Sequence, residues 1–248
     1  MYGRTSPFRG TPPVVLNLLI LNLILFVGSY ILGSSANIDL TKYLALYYWK
    51  SPNFQPYQFV THMFMHANLT HIFFNMFALW MFGRVLESVW GPKRFFIYYF
   101  VTGFGAALLH LLVNHIQIAG LMKEMSQEEI NIVIKHGYEV LMWGNNYANP
   151  NMGALNIMMN IPTVGASGAV FGVLLAFGML FPNTRLMLLF LPIPIKAKYF
   201  VIFYGVAELY FAVLNRPGDN VAHFAHLGGM IFGFVLVKLW QKDRKNFY

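Results

Sequence analysis

Three short clusters of polar side chains interrupt otherwise apolar stretches of this sequence: His71-Ile-Phe-Phe-Asn75, Gly165-Ala-Ser167-Gly168 and His226-Leu-Gly-Gly229. A serine hydroxyl beside a neutral imidazole is an activated nucleophile, because the ring takes the proton as the oxygen attacks a carbonyl. The chemistry implied is acyl transfer. Its tetrahedral intermediate needs donors for the oxyanion, and Asn75, His71 and the Ser167 backbone N–H can supply them. His71 and Asn75 stand four apart and share one face of a helix. No acid stands at i±3 or i±4 from His226 to orient its ring: Asp219 lies about two helical turns upstream, while Glu208 and Glu87 belong to other segments. The expectation is a Ser167–His226 dyad whose imidazole is oriented by packing.

The elements that must carry these residues follow from composition. Of 248 residues, 57% are hydrophobic and 10% charged, where a soluble domain carries about 25% charged residues, and the mean hydropathy is +0.53. That excludes an ordinary soluble domain and points to an all-α polytopic membrane protein with the lipid bilayer as its partner. The formal charge of +8 is scattered between apolar runs and reads as a topology signal, not as a nucleic-acid surface. With no cysteine, disulfides, thiolate zinc sites and a cysteine nucleophile are excluded.

Six apolar runs are expected to span the membrane as one bundle: TM1 at 13–33, TM2 at 70–86, TM3 at 95–113, TM4 at 164–181, TM5 at 199–214 and TM6 at 221–240. TM1 is too long for a secretory signal and reads as a retained helix. Between TM3 and TM4 lies a long connection, 114–163, in which Ser126-Gln127-Glu128-Glu129 opens a helix as a capping box. If the N-terminus is cytoplasmic, twelve of the 17 basic residues fall on that side, as cytoplasmic loops require. Both termini are then cytoplasmic, and the expected location is a bacterial cell membrane.

In that topology TM2, TM4 and TM6 run in the same direction, so His71, Ser167 and His226, each near the start of its span, share one outer layer. Gly168, Gly172 and Ala176 form a smooth stripe on TM4, and Gly229 and Gly233 form another on TM6. Backbones approach closely at such stripes. His226 lies one turn before Gly229 and Ser167 at the mouth of the TM4 stripe, so this packing brings hydroxyl and imidazole together.

With these residues the sequence resembles the rhomboid family of intramembrane serine proteases, over most of the chain: the six-span core, His71-x-x-x-Asn75, Gly165-x-Ser167-Gly168 and Ala225-His226-Leu-Gly-Gly229. The resemblance implies that Ser167 is the nucleophile, His226 the general base, and His71 and Asn75 part of the oxyanion hole. It implies substrates that are transmembrane helices of other proteins, cut near the outer surface where they unwind. Phe171 stands where the family often has a Tyr packed on the imidazole, and Glu87-x-x-x-Gly91 matches a structural motif at the cytoplasmic end of TM2. The family's first outer loop often carries Trp-Arg, and Tyr57-Gln58 occupies that place, which puts anchoring of the loop by an arginine in question.

Other readings of the same residues are blander. His62 and His66 precede TM2 and read as loop hydrogen-bonders, and His223 as a structural or water-contacting group. The outer-layer histidines offer neither a thiolate nor enough carboxylates for a zinc site, so no metal and no cofactor is expected. Glu208, inside TM5, is expected to be protonated and hydrogen-bonded, because a bare carboxylate in lipid is costly. The alternative function is a catalytically inactive rhomboid-like protein that binds membrane helices or acts as a transporter; the presence of both Ser167 and His226 favours the enzyme.

Overall fold

An apolar chain in lipid can satisfy its backbone only by hydrogen-bonding within itself, which makes each run a helix. The computed structural model describes residues 10–188, 191–214 and 221–245. Asp219, together with Arg4, Arg9 and Arg216 of the basic count, lies outside them. Helix α1 (Pro13–Ala36) begins at a proline, whose missing N–H costs nothing at that position. Its next two N–H groups, of Val14 and Val15, donate to the Glu87 carboxylate at 2.9 and 2.8 Å. A buried carboxyl group thus caps the N-terminus of α1 and ties it to the second span. Short helices α2 (Leu40–Leu44) and α3 (Gln58–Thr61) lie in the loop that follows.

The second span, Leu69–Trp90, is continuous: α4 (Leu69–Ala78), one π turn at Leu79–Gly83, and α5 (Arg84–Trp90). It ends at Gly91, whose φ of 79° closes α5, and Pro92 at once starts α6 (Pro92–Lys123). At 32 residues α6 is about 48 Å long, well beyond a ~30 Å hydrocarbon core. It runs ten residues past the expected end of TM3 at 113, because Asn114 and His115 are polar without breaking a helix and each finds a partner: Asn114 Nδ2 with His110 Nε2 at 3.2 Å, His115 Nδ1 with the Tyr48 hydroxyl at 2.7 Å. The rest of the connection is a helical pair, α7 (Gln127–Met142) and α8 (Pro150–Asn160). Both halves of the Ser126/Glu129 capping box are formed at the start of α7.

Next comes α9 (Ser167–Leu180), apolar and only 14 residues long, about 21 Å. A helix this short leaves non-helical backbone at membrane depth, which is tolerated only where protein or water surrounds it. Accordingly α9 is the central helix, with nine buried residues. The TM4–TM5 connection holds an antiparallel ribbon of β1 (Arg185–Leu188) and β2 (Leu191–Lys196), the one sheet among the described residues. The chain closes with α10 (Ala197–Leu214) and α11 (His223–Lys245). Five helices are thus long and apolar enough to cross a membrane, and α9 is a shorter sixth. The protein is a helical bundle built for a membrane: only 17% of the α1 and α10 windows is buried, against 44% for α6, so α1 and α10 turn Leu23, Ile24, Val206 and Val213 outward to lipid.

Packing around α9 is backbone on backbone. A methyl group on Gly229 of α11 would overlap the Gly168 carbonyl, and one on Gly233 would meet the Gly172 Cα and the Tyr98 hydroxyl. Tyr98 of α6 donates that hydroxyl to the Gly172 carbonyl at 2.7 Å, so the contact is sealed by a buried hydrogen bond.

Candidate active site

Ser167 is the first residue of α9, where backbone N–H groups have no partner within the helix. The segment before it cannot be helical, because Gly165 has φ +123° and the His71 ring fills the space that a side chain there would need. Three strand-like bonds fix this segment: Leu46 and Thr163 exchange N–H···O bonds at 2.9 and 2.8 Å, and Gly165 N–H donates to the His62 carbonyl at 2.9 Å.

The stripe packing of α9 on α11 puts Ser167 Oγ 2.8 Å from His226 Nε2. His226 is buried, and its ring lies flat on Phe171, with centroids 4.1 Å apart and planes 8° from parallel. The opposite ring nitrogen, Nδ1, is 2.9 Å from Glu208 Oε2 on α10, off the axis of a linear hydrogen bond. The same oxygen is 2.6 Å from His223 Nδ1. The imidazole is therefore not held by packing alone, and Glu208 is paired with two imidazoles. Spacing along one helix could not reveal this, since the carboxylate arrives from a neighbouring helix.

His71 is brought against Gly165, two residues from the serine, and its ring meets that of His66 edge-on at 5.1 Å. Asn75 is buried and its Nδ2 donates to the His71 carbonyl of its own helix at 2.9 Å. His62 is a loop hydrogen-bonder, with Nδ1 2.8 Å from the Gln58 carbonyl. Burial pushes the His62 imidazole down to about 4, and burial with the neighbouring His71 does the same to His66, so both rings are neutral at pH 7. A cavity of about 10 Å³ lined by His62, Thr163, Gly165 and Ser167 sits beside the hydroxyl, room for one water.

At the place of the family's Trp-Arg, Gln58 is fully buried. Its Oε1 accepts from Tyr47 and Gln55 N–H groups at 3.3 and 3.1 Å, and its Nε2 donates to the Tyr43 and Asn53 carbonyls at 3.2 and 3.0 Å. A neutral amide with four backbone bonds anchors the loop where an arginine was in question. Glu208, His223 and His226 are also the one trio among the described residues whose ligand atoms lie within 4.8 Å of one another.

The family model described as the Rhomboid domain matches residues 53–242, which hold Ser167, His226, Glu208, His223, His71 and Asn75. The chain belongs to the rhomboid family. Rhomboid protein 1, mitochondrial, of Saccharomyces cerevisiae is 28% identical over 192 residues, 74% of this chain and 42% of that protein. Rhomboid-like protein 11, chloroplastic, of Arabidopsis thaliana is 28% identical over 229 residues, 89% of this chain and 64% of the relative. Rhomboid protease AarA of Providencia stuartii is 22% identical over 237 residues, 92% of this chain and 72% of that protein. The chain thus spans less than two thirds of the first two relatives. Since those two are named for a mitochondrion and a chloroplast, the expectation of a bacterial cell membrane gains no support from them, whereas an integral membrane protein does.

Proposed function

We propose that this rhomboid is an intramembrane serine endopeptidase that cuts transmembrane helices of other membrane proteins near the outer membrane face. The observation that carries the reading is the 2.8 Å contact between Ser167 Oγ and His226 Nε2, held at the end of a buried helix. Oγ attacks the scissile carbonyl as Nε2 takes its proton, and the resulting oxyanion is received by the Ser167 N–H with His71 and Asn75. Nε2 then gives the proton to the leaving amine. Water hydrolyses the acyl-enzyme by the same steps, with His226 again as base. A helical peptide bond is screened by its own hydrogen bonds, so the substrate unwinds before attack. The basic count supports cytoplasmic termini and a site open to the opposite side.

Detergent-solubilised protein treated with a fluorophosphonate is expected to carry the label on Ser167 by mass spectrometry. Ser167→Ala, His226→Ala and the double variant should lose cleavage of a helical substrate to a similar extent, since one base serves one nucleophile. Substantial turnover by Ser167→Ala overturns the assignment. For sidedness, single cysteines introduced within 127–160 should react with an impermeant reagent on intact cells, and cysteines within 185–196 should not; the reverse pattern refutes the topology.

A further inference from the structure

We infer that Glu208 is a positioning residue for His226, itself held by His223, so that the site works as a Ser167–His226–Glu208 relay and not as a dyad. The inference rests on the serine-endopeptidase reading above and adds a member to that site. Its basis is that the two ring nitrogens of His226 face partners at opposite ends, Nε2 hydrogen-bonded to the serine at 2.8 Å and Nδ1 standing 2.9 Å from the carboxylate, off the axis of a linear bond. A carboxylate beside Nδ1 selects the tautomer with its hydrogen there, which leaves the Nε2 lone pair facing the hydroxyl. That is the tautomer a general base needs. When Nε2 takes the serine proton, the ring becomes imidazolium and Glu208 stays ionised beside it; the proton leaves from Nε2 to the amine, and Glu208 gains none.

Cost supports the same reading. An ionisable group inside a span is expensive unless paired, and such groups face a bundle interior and serve function. The side chains of Glu208, on the peripheral helix α10, and of His223, on α11, are each 12% exposed and that of His226 11%. His223, stacked on Phe211 with centroids 5.5 Å apart, approaches the same oxygen, Oε2, to 2.6 Å and so holds the carboxylate in place. The off-axis Nδ1···Oε2 contact is the kind that tightens when substrate fills a site. A metal explains the trio less well. Tetrahedral zinc with bonds of ~2.0–2.1 Å holds its ligand atoms about 3.3 Å apart, whereas these atoms stand at 2.6 and 2.9 Å, hydrogen-bond lengths.

The test uses the full chain in detergent and the kinetics of fluorophosphonate labelling at Ser167, with the maximal rate and the half-saturating concentration measured separately. Glu208→Gln keeps size and removes charge. It should lower the maximal rate about tenfold or more, leave half-saturation within about twofold, and leave the thermal midpoint unchanged; Glu208→Asp should recover part of the rate. In a His226→Ala background Glu208→Gln should cost nothing further, because it acts through that ring. Labelling should persist in EDTA. Rates within twofold of wild type for folded Glu208→Gln and Glu208→Ala overturn the inference while Ser167 remains the nucleophile. So does loss of labelling in EDTA that zinc restores. If wild type is not labelled at Ser167 at all, the endopeptidase reading fails first and takes the positioning role with it.

Discussion

Helix α11 has two working faces, and they are held by opposite means. Toward α9 the contact is glycine on backbone, where Gly229 lies on the Gly168 carbonyl and Gly233 on Gly172. No side chain stands between the helices, so nothing can adjust, and the distance from hydroxyl to imidazole is set by two main chains. Toward α10 the contact is made by side-chain tips: Glu208 with His223 and His226, and Met230 against Gly205. Here α10 is peripheral, and tips can move by tenths of an ångström without shifting a helix. One face fixes where His226 is, and the other fixes which way its ring points. Removing a contact from the first should disturb position and stability together, while removing one from the second should disturb chemistry alone.

Short of removing Ser167 or His226 themselves, the largest effect is expected outside both faces, at Asn75, and it serves as the reference for a pure loss of chemistry. Losing one preorganised oxyanion donor usually costs ~10² to 10³ in turnover. In Asn75→Ala the lost hydrogen bond is one to the carbonyl four residues back in its own helix, which adds little to stability. Turnover at saturating substrate should fall by that factor with an unchanged thermal midpoint. A rate within about threefold of wild type removes Asn75 from the site.

Next in size is Gly229→Ala, which attacks the rigid face. One methyl must push α9 from α11, and a misplacement of about 1 Å at a nucleophile costs ~10². Overpacking of this kind also costs about 1–3 kcal/mol in stability. Turnover and thermal midpoint should therefore fall together, unlike the Asn75 variant. If the midpoint holds while the rate falls, the face is not what sets the distance. Phe171→Leu is milder, since it keeps apolar bulk but removes the flat stack on His226. Such stacks contribute about 0.5–1.5 kcal/mol, so roughly two- to tenfold in turnover is expected, and Phe171→Tyr should restore it.

The rigid face was readable from the chain because its determinant is local: glycines four apart make a groove in any helix, and the apolar runs around them admit no solvent but lipid. What was not readable was decided between segments. TM4 was expected from 164, yet α9 starts at Ser167, since Gly165 takes a left-handed φ to admit the His71 ring, a contact with another helix. TM3 was expected to stop where Asn114 and His115 appear, but Asn114 pairs with His110 one turn back in the same helix and His115 with Tyr48 of the first loop. Glu208 was visible as an acid at membrane depth, but its partners lie 15 and 18 positions later, on a different helix. The loop anchor escaped for a different reason: a neutral Gln58 carries no charge to draw the eye, yet it holds the loop through four backbone bonds within it.

The smallest effect is expected from the same substitution on the yielding face. Gly205→Ala also adds one methyl between α11 and a neighbour, but what it meets is the Met230 Cε at 3.1 Å, the far end of an unbranched side chain with three rotatable bonds. That tip can swing aside without moving α11. Alanine also favours a helix interior over glycine by roughly 0.5–1 kcal/mol, which offsets the crowding. Turnover within about twofold of wild type and a thermal midpoint equal or slightly higher are expected. Measured beside Gly229→Ala in one preparation, the pair isolates the kind of contact, since the added atom is the same and each methyl enters a seam between α11 and a neighbouring helix. A Gly205→Ala enzyme as slow as Gly229→Ala would mean that the α10 face is as unyielding as the α9 face. Ring orientation and ring position would then be one property of the bundle instead of two.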